Sequence, residues 1–167
     1  EAALWAALAS AKGPAEFCRA WLDLQCARTP GATSGLILLE GGQGTFAPAA
    51  VWPAGPSNID ELKAVGEAAL TGGRPVLQAD PTQPGVTCIA YPIASGERVH
   101  GVLVLAVAAA RPAQLQATLR DLHWGIGWIL SLVWQHHADE RGRSGAVAAS
   151  AMDLLAAVQE HDSLAEA

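Results

Sequence analysis

The sequence predicts an α+β fold, an antiparallel sheet of five to six strands with the N- and C-terminal helices packed on one face. Three observations predict it. The apolar spacing alternates between helical and strand-like periods in the order helix, two strands, helix, three strands, helix. Glycine-bearing turns, "GGQG" and "SGE", join neighbouring strands tightly, which only antiparallel pairs allow. "RVHGVLVLAVA" (98–108) is apolar on both faces, so the sheet must be covered on both sides.

Residues 2–28 read as helix, with Leu4, Trp5 and Leu8 on one face, then Phe17, Trp21 and Leu24. "KGP" interrupts them, and Pro14 suits the first turn of a second helical piece. "LILLE" (36–40) and "TFAPAAVW" (45–52) are strands across "GGQG". That glycine run lacks the helix start that a phosphate loop needs behind it. A helix follows, capped by Ser57 or Asn58, with Asp60 and Glu61 in its first turn and Gly72 at its end. "RPVLQAD", "VTCIAYPIA" and "RVHGVLVLAVA" are the last three strands, and "PTQPG" is a loop. The final long helix runs from about Ala113 to Asp139.

That helix carries two apolar stripes. Leu115, Leu119, Leu122, Ile126, Ile129 and Val133 form the first, which should face the sheet. Trp124, Trp128 and Leu132 form the second, roughly 130° away at 100° per residue. The longest apolar run, Trp124 to Trp134, has eleven residues, where a membrane span needs about 20. The second stripe therefore calls for a neighbour: the N-terminal helix with Trp5 and Trp21, the same helix of a second subunit, or both together, with a stacked flat cofactor as the remaining alternative. Gly125 and Gly127 weaken the helix by about 1 kcal/mol each relative to Ala, so close approach of a neighbour is expected there.

Composition narrows the function. A charged fraction of 16% beside 51% hydrophobic residues suits a globular core. A net charge of −6 with no Lys/Arg cluster excludes the footprint of a nucleic-acid binder and argues against anionic membranes. Cys18, Cys26 and Cys88 show no metal-ligand spacing and read as buried, reduced thiols in a cytoplasmic setting; a disulfide between two of them is the alternative. His136 and His137 point about 100° apart on a helix, so no metal site is expected. No cofactor is implied, and no carboxylate pair lies in an apolar stretch, so no catalytic residue is assigned.

"DERGRSG" (139–145) is polar, and a helical pattern with Ala151, Leu154, Leu155 and Val158 on one face follows. "LLAAVQEHDSLAEA" from Leu154 repeats part of "LWAALASAKGPAEF" from Leu4, at a domain-sized offset of 150 residues. The expected organisation is a domain over 1–139, a linker over 140–146, and over 147–167 the start of a second copy or a signalling helix.

"CIAYPIASGERVHGVLVLA" (88–106) resembles the centre of GAF domains: a strand ending Tyr91-Pro92-Ile93, a turn at Gly96, then Val99, Gly101, Val102, Leu103 and Leu105. The element order from about Leu4 to Asp139 is also similar. The last helix resembles those in GAF domains of bacterial membrane-fusion (efflux adaptor) proteins, some of which carry tandem copies. The resemblance implies a non-enzymatic sensory module of a multidomain chain, one able to be membrane-anchored elsewhere. It implies a homodimer, an unidentified small molecule bound under the middle helix and loops, or both. Trp52, Tyr91 and Ile89 are the residues expected at such a pocket; Trp124, Trp128, Leu132 and Trp5 are those expected at the helix seam. The cyclic-nucleotide residue set of GAF domains is missing, and Cys88 lies in a strand rather than in a bilin-binding position. A ligand-free dimerisation spacer and a thiol-dependent methionine sulfoxide reductase-like enzyme are the alternatives.

Overall fold

The computed structural model describes residues 1–41, 44–54, 59–108, 111–132 and 135. Two helices, α1 (Ala2–Ser10) and α2 (Pro14–Arg28), lead into strands β1 (Ala32–Glu40) and β2 (Phe46–Trp52). Helix α3 (Ile59–Gly72) and strands β3 (Val76–Ala79), β4 (Val86–Ser95) and β5 (Arg98–Ala108) follow. A last helix, α4, occupies residues 112–130. Lys12 and Gly13 break the N-terminal helical stretch, and Pro14 opens α2, where its missing N–H costs nothing.

The sheet has five strands in the order β2-β1-β5-β4-β3, all paired antiparallel. The doubly apolar β5 is its middle strand, and Gly101 to Val107 are buried along it. A Cβ at Gly101 would collide with the Leu38 carbonyl oxygen of β1, so this position of the signature has room only for glycine. Two prolines sit in strands at little cost. Pro48 is in the edge strand β2. Pro92 lies beyond the last β3 partner of β4, Ala90, so its missing N–H breaks no rung on that side.

Each face of the sheet has its own helical cover. Leu62, Val65 and Ala69 of α3 pack on Leu36, Leu38, Cys88, Ala90, Val102 and Val104. Gly66 brings α3 down so far that a Cβ there would lie 3.2 Å from both Val102 and Val104. The opposite face carries α2 and α4, the one-sided terminal helices that the sequence predicts. Trp21, Leu22 and Leu24 of α2 and Leu122, Ile126 and Ile129 of α4 are all buried. Leu115 and Leu119 are half-buried, so the first α4 stripe does face inward; Val133 lies outside the described residues.

The chain divides into two compact units, Glu1–Leu130 and Ser131–Ala167. The first contains the whole sheet. Of the second, residues 131, 132 and 135 are described, and they are helical. The expected linker at 140–146, the expected repeat at 147–167, His136 and His137 lie outside the described residues, as do the expected caps Ser57 and Asn58.

Candidate functional site

Strand register sorts the three residues expected at a ligand pocket. Gly35 faces α2, because a Cβ on it would lie 2.9 Å from Cys26 Sγ. Trp52 pairs with Gly35, so it projects to the same side. Ile89 and Tyr91 alternate with Cys88 and Ala90, which face α3, so they also project towards the terminal helices. This corrects the expected placement beneath the middle helix: none of the three lies there. Ile89 is fully buried core. The half-buried Tyr91 hydroxyl shares a hydrogen bond of 2.7 Å with His123 Nδ1 of α4. That bond ties the signature strand to the last helix at the residue beside Trp124, whose ring meets the His123 ring edge-on at 5.9 Å.

Of the four residues expected at the helix seam, three line one groove. Trp5, Trp124 and Trp128 line a groove of about 220 Å³ between α1, α2 and α4, over Trp21. Trp124 is 80% and Trp128 61% exposed, and Trp5 is 44% exposed. Their lack of cover contrasts with Trp21, which is 1% exposed and forms the buried floor. Leu132 falls in the second unit and is half-buried. The two glycines of α4 differ. A Cβ on Gly125 would lie 2.9 Å from the Trp21 ring, so Gly125 lets α4 close on α2. A Cβ on Gly127 would meet nothing within 4 Å. Helix α1 packs on α2 yet has no buried residue, although "LWAAL" is wholly apolar. The apolar face thus continues from α4 onto α1.

The groove also holds two opposite charges, Arg28 and Asp121. Arg28 is the last residue of α2, and its guanidinium lies 5.9 Å from the Trp5 ring centre. Asp121 makes no hydrogen bond or ion pair among the described residues. The i,i+3 and i,i+7 spacing of Asp121, Trp124 and Trp128 was legible; the arrival of Arg28 from another helix was not.

Asp80 is 8% exposed and caps the loop after β3. Its carboxylate accepts from the Thr82 and Gln83 N–H groups, the Thr82 hydroxyl and the Gln83 amide. The Thr82 hydroxyl, above all, holds its pKa below the ordinary value, and burial opposes this. The signal was "DPT", an Asx-turn sequence. Burial pushes the Cys18 thiol up to about 11 and the Cys88 thiol up to about 11. Burial, then the charge of Asp23, pushes Cys26 up to about 12. All three cysteines are free. Cys18 and Cys26 are two turns apart on α2, about 12 Å along its axis, and Cys88 is on the other side of the sheet. Protonated, separated thiols are poor nucleophiles and poor disulfide partners. Among the described residues, no group of three or more metal-ligating side chains converges, and no helix is long and apolar enough to cross a membrane.

The fold is similar to that of several solved structures. The GAF domain of the potassium sensor histidine kinase KdpD from Escherichia coli matches at a TM-score of 0.55 and 22% identity, over 82% of this chain and 95% of that one. The A. aeolicus nlh2 GAF domain, in an inactive state, matches at a TM-score of 0.58 and 16% identity, over 78% and 93%. The fold is that of GAF domains. A third example, the GAF domain of an Acinetobacter phosphoenolpyruvate-protein phosphotransferase, matches at 0.55 and 14%, over 82% and 92%. No family model and no curated protein matches the chain.

Proposed function

We propose that this GAF-fold domain is a non-enzymatic regulatory module that acts by self-association through its terminal helices. The carrying observation is the tryptophan patch of Trp124, Trp128 and Trp5, exposed side by side on α4 and α1. Large apolar patches on a soluble surface mark interaction sites, and tryptophan is favoured at their centres. The solved neighbours include the GAF domain of a sensor kinase, which supports a signalling role. The raised thiol pKa values argue against the reductase alternative. In this reading α4 is the output element of a multidomain bacterial chain such as a tandem-GAF membrane-fusion adaptor. A small molecule that favours one packing of the sheet and α4 would shift the population of the associated state. The Tyr91–His123 bond is the direct link between the two.

Light scattering across a dilution series tests this. A dimer that Trp124→Ala and Trp128→Ala dissociate is the expected result. A monomer at every concentration would reject self-association as the mechanism. The sensor and the ligand-free spacer differ in a metabolite screen: the sensor predicts a compound that raises the melting temperature and shifts the dimer equilibrium, and the spacer predicts neither.

A further inference from the structure

We infer that the aromatic groove is half of an isologous site, completed when Trp124 of the partner subunit enters it and Asp121 and Arg28 pair across the two-fold axis. This rests on the self-association proposed above and specifies its geometry. Size is the first argument. At about 220 Å³ the groove is smaller than the roughly 300–1,000 Å³ of pockets for drug-sized ligands, so a single ring is its natural guest. The same patch supplies such a ring, because Trp124 stands out at 80% exposure beside the groove it helps to wall. A surface that carries both the knob and the hole is what a two-fold contact requires.

Charge supplies the second argument. Arg28 and Asp121 line one groove, yet among the described residues no ion pair joins them. A two-fold axis applies each contact twice, so a patch bearing one cation and one anion is complementary to itself. The third argument is Gly127. It weakens an exposed helix, and among the described residues no atom lies within 4 Å of a Cβ placed on it. It lies one turn from Trp124 on the outer face of α4, so a partner helix crossing there uses that space.

The test uses the 167-residue chain, with dimer dissociation measured by light scattering and folding monitored by circular dichroism. Gly127→Leu adds a side chain where the single chain has open space, so it should fold normally and be monomeric. Asp121→Lys and Arg28→Glu should each weaken the dimer about ten-fold or more, since each sets like charges face to face. The double variant, with both charges exchanged, should recover most of that loss. A dimer indifferent to Gly127→Leu and to both charge reversals would overturn this geometry and leave self-association standing. A wild-type monomer at all concentrations would overturn both. The charge variants lie on the surface and keep the test open even if Gly127→Leu misfolds.

Discussion

Asp80 shows what one buried carboxylate does for this fold. Four donors converge on it, and its pKa is depressed mainly by the Thr82 hydroxyl. A group with a lowered folded-state pKa contributes stability above its unfolded value, near about 3.9, and loses it as pH falls through the lower folded value. Wild type should therefore lose stability on acidification in part through this site. Asp80→Asn keeps the shape but carries no charge, so its unfolding free energy should be lower at neutral pH and flatter below about pH 4. Asp80→Ala leaves buried N–H groups without an acceptor and should cost about 1–3 kcal/mol in urea unfolding. Identical acid-side slopes for wild type and Asp80→Asn would remove Asp80 from the account. The thiols give a second expectation. Cys18, Cys26 and Cys88 are buried and protonated at neutral pH, so a thiol reagent should label them only at the rate of unfolding. Fast labelling of native protein at any of the three would reopen the thiol-enzyme reading.

At the scale of elements, the sequence pattern located the described strands and helices but not what each one touches. Periodicity is local, so β5 announced a doubly covered sheet and the first α4 stripe announced its inward face. Partners are set by strand register, which local pattern does not encode. This is why Trp52, Ile89 and Tyr91 were expected under α3, whereas their pairing with Gly35, Leu105 and Leu103 sends them to the other side. The exposed pair Trp124 and Trp128 was legible because two tryptophans at i,i+4 spacing need no long-range information, whereas the arrival of Trp5 beside them did. The two glycines of α4 turn this difference into a measurement. Gly→Ala in an exposed helix is favourable by about 0.8–1 kcal/mol. At Gly127 nothing opposes that gain, so Gly127→Ala should raise the stability of the monomer. At Gly125 the new methyl would press on the buried Trp21 ring at 2.9 Å, and overpacking typically costs about 1–3 kcal/mol. Gly125→Ala should therefore be neutral or destabilising. The opposite order in thermal melts would mean that α4 does not rest on Trp21.

For the whole molecule, the question is whether the folded state needs its partner. Both sheet faces are already covered within one chain, by α3 on one side and by α2 and α4 on the other. The largest buried side chains, including Trp21, Leu22, Leu103, Leu105 and Leu122, are all under 2% exposed. Each such side chain stabilises by about 1.5–3 kcal/mol, and none depends on a second copy. The monomer should thus remain folded after dissociation, unlike an obligate dimer whose core is split between subunits. Mass action then gives a distinctive signature. A ligand that binds only the native state raises its apparent stability by RT ln(1 + [L]/Kd), and a second subunit is such a ligand. The melting temperature of wild type should rise with protein concentration once that exceeds the dimer Kd. Trp124→Ala removes an exposed side chain, so it should keep the low-concentration melting temperature of wild type and abolish the rise. A melting temperature independent of concentration in both proteins would mean that the patch serves some partner other than this chain. A large loss in Trp124→Ala at low concentration would instead place Trp124 in the core of the single subunit, where its 80% exposure says it is not.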